Sequence, residues 1–429
     1  VKRAADEAVD ESIARALMER RGALELLRRR DFRRLYLAVA VSELGDAFQY
    51  IAIMWFALVK GGPIGVVAVR LADSVPALLF GFHGGIVADK WDRKRTMISA
   101  DLARGVILVP IAIAGLSNIL PLWGLVVAAF LVETATSYFA PAYSAILPAL
   151  VDRENVQEAN GLLGATTNAL SIGGWAAAAG LLAIAPISTF FALNAASFFV
   201  SALFISRIAR REAMTIASSE PPRIREAFDA MRPIPALAIG TVVVGLAVTV
   251  SSGTWIAGVP DLIREVLHRG AGGFAIVMVG YAMGSVGAGI ILARFPIANK
   301  ARASMLAWIL YLPAYAMFAL ATSLPMAIAG AFLSGLGQVS AAILLRSAAQ
   351  EQVADNVLGR VMGVISLVYR GAHATGLMLI SPLFVIVAPR AMFAASAVVI
   401  PLFGVVGAVL AQYSEKRASS ADLTPSPSP

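Results

Sequence analysis

Apolar residues fill the chain in runs of about 20, enough to cross roughly 30 Å of hydrocarbon as helix at 1.5 Å per residue. Short polar stretches separate the runs. This pattern predicts spans near 35–59, 64–88, 96–116, 119–143, 159–184, 187–206, 234–257, 273–292, 303–322, 325–346, 361–386 and 391–413, twelve in all. Lys and Arg counted on alternate sides test number and orientation together, because cytoplasmic loops collect them. Counted from residue 28 onward, the side that holds both termini carries 23, and the other carries four: Lys60, Arg264, Arg269 and Arg390. A missed span would scramble that asymmetry. The expected fold class is therefore an all-α membrane protein with 12 transmembrane helices and both the N and C termini cytoplasmic.

The longest polar interior stretch lies between the sixth and seventh spans and divides the chain in two. The expected organisation is a cytoplasmic N-terminal segment (1–34), an N-terminal six-helix bundle (35–206), a cytoplasmic central loop (207–233), a C-terminal six-helix bundle (234–413) and a disordered C-terminal tail (414–429). PALVDRENVQEANG (148–161) and QEQVADNVLGRVMG (350–363) share a Val, an acid and an Asn-Val pair. Their offset of about 200 residues is one half of the protein, as parallel repeats give. The first 30 residues alternate charge with Ala and Leu and lack an apolar h-region, which predicts an amphipathic helix and not a cleaved signal.

Composition agrees with the bilayer as solvent. The 429 residues are 59% hydrophobic and 14% charged with a mean hydropathy of +0.77, against about 45–50% and 25% in soluble domains. A net charge of +8 would suggest nucleic acid in a soluble protein, but here the cations sit in short loops and act as a topology signal. No nucleic-acid partner is expected. The absence of cysteine excludes disulfides and thiolate metal sites. His83, His268 and His373 lie on separate segments, and HExxH, GxSxG and phosphate-cradling motifs are missing. The expectation is a protein without cofactor, metal or enzymatic activity.

After the second span comes GGIVADKWDRKR (84–95), with glycines, an acid and a basic cluster at the membrane face. The glycines permit close helix approach, and the cations hold the loop in the cytoplasm. The motif resembles the signature of the major facilitator superfamily at this position, with Gly85, Asp89, Arg93, Lys94 and Arg95 in the matching places and Asp92 where the family commonly has a second Gly. SELGDAF (42–48), DLAR (101–104) and YFAPAYSAILPALVDRENVQEANG (138–161) are similar to the macrolide-efflux and enterobactin-exporter branch. The resemblance covers about 400 residues in both halves. It implies two pseudo-symmetric six-helix bundles of the major facilitator fold, a cytoplasmic gate formed by the motif, and export of a drug-like or siderophore-like molecule. The sequence departs from the drug-antiporter pattern in two places. Its fourth span has no Arg, Glu133 being the nearest charge, and SIGGWAAAAG (171–180) in the fifth lacks the family's Pro.

Charges within spans are costly and tend to face cavities or partners. Glu43 and Asp46 lie about 12 and 16 Å into the first span, one helical turn apart, and offer a midplane site for proton uptake. Arg70 with Asp73, and Asp101 with Arg104, are opposite charges at i,i+3. Arg70, Asp101 and Arg104 read as structural ion pairs, whereas Asp73 could equally line the cavity. Glu133 and Tyr138 in the fourth span, Gln338 in the tenth, and Arg370 and His373 in the eleventh complete the expected cavity and coupling set. Two readings of the acidic first half and basic second half stay open: a cavity for a polar or zwitterionic head, or pairing of Arg370 with a first-half carboxylate.

The expected function is ion-coupled secondary export of an amphipathic small molecule by alternating access, in the cell (inner) membrane of a prokaryote. The coupling ion is H+ in preference to Na+, and the chain acts as a monomer in the lipid bilayer. Lysophospholipid transport and proton-coupled import are the alternatives. Asp89 is expected to latch onto the start of the eleventh span near Gly359 and Arg360.

Overall fold

The computed structural model describes residues 25–151, 155–182, 184–209, 224–295 and 297–421, and among these every regular element is helical. In chain order they are α1 (Arg30–Lys90), α2 (Arg93–Leu116), α3 (Leu122–Leu150), α4 (Val156–Leu181), α5 (Thr189–Ser206), α6 (Ile224–Met231), α7 (Pro235–Asp261), α8 (Ala271–Arg294), α9 (Lys300–Leu306), α10 (Tyr311–Ala319), α11 (Leu324–Gln352), α12 (Asp355–Leu379) and α13 (Pro389–Ala421). Nine helical stretches among the described residues are long and apolar enough to cross a membrane.

The places where helices and expected spans differ have local causes. α1 carries two expected spans in one element, interrupted only at Gly62 with φ 60° and ψ −156°. Only glycine adopts that conformation without strain, and Pro63, which needs no hydrogen bond from its nitrogen, starts the second segment. The span expected at 303–322 is α9, a 3-10 turn (Ala307–Leu310) and α10. Pro313 explains the tightened turn, because its ring crowds the carbonyl four residues back at Ile309. α4, on the span expected at 159–184, is not among the nine. Asn160, Thr167 and Ser171, spaced seven and four residues apart, give it a polar stripe.

Polar connections are shorter than the sequence suggested. α11 reaches Gln352 and α12 starts at Asp355, so most of 350–363 is helix. The stretch 207–233 contains α6. α13 runs to Ala421, into the tail expected to be disordered from 414. The expected N-terminal amphipathic helix falls mostly on residues outside those described.

The described residues gather into two compact units, those within Val1–Ile53 and Ala72–Ile216, and those within Met54–Leu71 and Ala217–Pro429. In the first, α2 packs on α3 and α5, and Phe32, Leu35, Met97, Leu147, Leu163 and Ile205 form a core at one end of the bundle. Asp92 caps α2 by accepting from Arg95 N at 3.0 Å. In the second, α8 packs on α11, and α7 on α12 and α13. α7 passes into a π-helical turn, Leu262–Val266, just after Pro260.

Candidate functional site

The first unit encloses a cavity of about 350 Å³ whose wall includes Glu43 and Asp46 from α1, Arg104 from α2, Phe139 and Tyr143 from α3, and Asn160 and Thr167 from α4. The polar stripe of α4 lines this space. A helix with such a face fails a test of apolarity because one side meets polar groups instead of lipid.

Each carboxylate has its own donor. Ser171 Oγ donates to Glu43 Oε1 at 2.7 Å. Asn194 Nδ2 donates to Asp46 Oδ1 at 3.0 Å and to Gln49 Oε1 at 2.7 Å, while Ser197 Oγ donates to Asn194 Oδ1 at 2.8 Å. Asn194 is fully buried, and its amide is saturated by this arrangement. Gly45 makes the approach possible. A Cβ there would collide with the Asn194 and Ser197 side chains, so the Gly-Asp step of SELGDAF pairs a carboxylate with the gap its donor needs.

Arg104 is bound on one side and open on the other. Its Nη2 donates to Asp101 Oδ1, and Ser201 Oγ donates to Asp101 Oδ2 at 2.7 Å. Its guanidinium carbon lies 4.4 Å from the Phe139 ring centroid and 4.3 Å from that of Phe198, a cation held between two aromatic faces. Arg104 Nε is buried without a hydrogen-bond partner among the described residues, and its side chain shares the cavity wall with Asp46. The structure therefore sets Arg104 in the same cavity as Glu43 and Asp46, where sequence spacing indicated only a strut to Asp101.

Other expected site residues lie elsewhere. Tyr138 lines a separate groove, where its hydroxyl meets His83 Nδ1 at 3.0 Å. Glu133 is half-buried on α3, and its backbone carbonyl accepts from Ser137 Oγ at 3.0 Å. Arg70 and Asp73 are half-buried on α1, and neither lines the Glu43–Asp46 cavity. In the gate motif, Arg93 Nη1 donates to Ala145 O at 2.9 Å near the end of α3, and Lys94 Nζ donates to Ile208 O at 2.5 Å just past α5. Lys94 thus caps the C-terminus of α5, and Arg93 ties α2 to the penultimate turn of α3. The Arg95 side chain is exposed. The surroundings of Gly85, Asp89 and, in the expected latch contact, Gly359 lie outside what is described.

Gln338 in the second unit is the centre of a neutral network. Its Oε1 accepts from Tyr281 at 3.3 Å and Tyr311 at 3.0 Å, and its Nε2 donates to Tyr369 at 2.8 Å. Trp255 packs at 5.0 Å from Tyr281. His373 lies nearly parallel to Tyr369 at 6.4 Å, with a buried Nδ1 that has no partner among the described residues. Arg370 is exposed rather than enclosed in this network. No group of His, Asp or Glu among the described residues is arranged to hold a metal.

A helical membrane chain with ionisable groups lining a cavity is built like a solute carrier. The transmembrane secretion effector family model matches residues 21–427, and the chain belongs to that family, as a multi-pass transporter of the major facilitator superfamily. It is 24% identical over 312 residues to the uncharacterized MFS-type transporter YfiS of Bacillus subtilis (strain 168), covering 71% of this chain and 70% of that protein. It is 29% identical over 131 residues to macrolide efflux protein A of Streptococcus pyogenes, which is 30% of this chain and 32% of that protein. Among solved structures, the nucleoside transporter NupG matches with a TM-score of 0.68 at 14% identity, over 89% of this chain and 98% of that one. A POT family transporter matches at 0.65 with 12% identity, over 89% and 96%.

Proposed function

We propose that this protein is a proton-coupled exporter of an amphipathic small molecule, with Asp46 as the coupling group and Arg104 as its internal counter-charge. The observation that carries the reading is the shared wall of Glu43, Asp46 and Arg104 around one cavity. A carboxylate beside a guanidinium that already has a second carboxylate can change protonation without leaving a cation unpaired. When Asp46 is ionised, Arg104 divides its field between Asp46 and Asp101; when Asp46 takes a proton, Arg104 belongs to Asp101 alone. That exchange is a two-state element that a proton gradient can bias. The neutral Gln338 network and the exposed Arg370 would serve substrate recognition. The macrolide efflux likeness supports export. The twelve-span topology with cytoplasmic termini, the two six-helix halves and alternating access belong to the same proposal.

Proteoliposomes with an imposed pH gradient test it, with radiolabelled erythromycin as the first probe. Gradient-driven accumulation should disappear in Asp46→Asn, while exchange without a gradient survives. Undiminished uphill transport by that variant would remove Asp46 from the mechanism. The direction of accumulation relative to the gradient separates export from import, and a lysophospholipid probe in the same vesicles tests the lipid alternative.

A further inference from the structure

A second cavity in the first unit is larger than the charged one, about 690 Å³, and is formed by α1, α2 and α3. Its volume falls in the range of small-molecule sites, roughly 300–1,000 Å³. Most of its polar lining is already spent. Thr96 Oγ1 donates to Asp92 O, Ser99 Oγ to Thr96 O and Thr134 Oγ1 to Phe130 O, while Tyr138 and His83 bond each other. What these residues present to the cavity is chiefly carbon, beside Val87, Ile107 and Leu131. From Thr96 to Ile107 the α2 wall runs about 16 Å at 1.5 Å per residue.

One end of the groove differs from the rest. Lys90 and Trp91 form the rim there, both exposed. The Lys90 ammonium has no hydrogen-bond or ion-pair partner among the described residues, and Trp91 is an amphipathic anchor of the kind that sits at headgroup level. The counterpart cavity of about 320 Å³ between α8 and α11 also has a rim lysine, Lys300, but Glu351 neutralises it. A long apolar groove ending in a cation with no counter-charge among the described residues complements a long apolar chain ending in an anion.

We propose that this groove is a binding site for an anionic phospholipid of the surrounding membrane, with one acyl chain lying along α2 between Ile107 and Thr96 and the phosphate at Lys90. The site is separate from the Glu43–Asp46 cavity and does not depend on the transport reading. Trp91 reports on it directly. The full chain, reconstituted in phosphatidylcholine vesicles, receives a small and equal fraction of brominated phosphatidylglycerol or brominated phosphatidylcholine. The Trp91 contribution is isolated by difference from Trp91→Phe. Brominated phosphatidylglycerol should quench it at about five-fold lower mole fraction, the preference that one lysine at an anionic headgroup supplies. Lys90→Gln should abolish the preference, and Lys300→Gln should leave it intact. Ala103→Phe, which fills the groove and leaves Lys90 in place, should reduce quenching by both lipids. Equal quenching by the two lipids in the unaltered protein, or a preference that persists in Lys90→Gln with helical content unchanged, would overturn the site.

Discussion

The polar interiors of the two units solve one problem in different ways. The first holds three carboxylates and an arginine, each carboxylate matched to a separate donor: Ser171 on Glu43, Asn194 on Asp46, Ser201 and Arg104 on Asp101. The second holds an amide and three phenols that satisfy each other around Gln338. Neutral groups can saturate one another inside a helix bundle and need nothing further. Net charges need a counter-charge or water, which is why the charged cluster borders a cavity. In the first arrangement a carboxylate can gain or lose a proton without dismantling the packing, which is the basis on which coupling is proposed for the first unit and recognition for the second.

Breaking the comparison at its strongest point means removing the coupling charge. Asp46→Asn should lower gradient-driven transport by at least about a hundred-fold, the range of a lost general acid–base group, with a melting temperature close to the original because Asn preserves the bond to Asn194. Retained uphill transport would place coupling elsewhere. Next in size is Arg104→Met. It leaves Asp101 buried beside Ser201 without its cation and should cost about 3–5 kcal/mol in detergent unfolding. Adding Asp101→Asn should restore much of that loss, and failure of the double variant to recover would show that Arg104 matters for its contacts with Phe139 and Phe198 instead.

In the neutral network of the second unit the expected effects are smaller. Gln338→Ala strands Tyr311, which is buried, along with two partly buried phenols, and should cost about 1–3 kcal/mol while gradient coupling survives. Loss of coupling in that variant would erase the distinction between the units. The smallest effect is expected from Ser171→Ala, which removes one bond to the half-buried Glu43 and should cost about 0.5–1.5 kcal/mol. A thermal-shift series on the purified variants would rank the three stability effects.

Much of this was legible from sequence where the signal was local. The carboxylates Glu43 and Asp46 stood out because charge within an apolar run is costly, and the pairing of Asp101 with Arg104 is visible at i,i+3. Sequence spacing makes Arg104 a strut alone, because spacing along one helix says nothing about which neighbouring helix it faces. Tyr138 was grouped with the carboxylates by depth, yet it lines a different groove with His83, since equal depth does not imply the same face of α3. Of the donors, Asn194 is a weak candidate from its place within an apolar span, and Ser171 is the least visible. Polar residues in spans also serve as glue between helices, and the available hint was the polar stripe on α4 together with Gly45 beside Asp46.

By itself the sequence determined the class of protein: helices of bilayer length, polar loops and a superfamily motif are properties of short windows, set by hydrocarbon thickness and the cost of burying charge. The tertiary structure decided which charges share a cavity and which donors hold them. Ser171 is 128 residues from Glu43, and Asn194 is 148 residues from Asp46. Such partners meet only when α4 and α5 pack against α1, and the packing depends on side-chain shape across helices, which no periodicity along a single helix encodes.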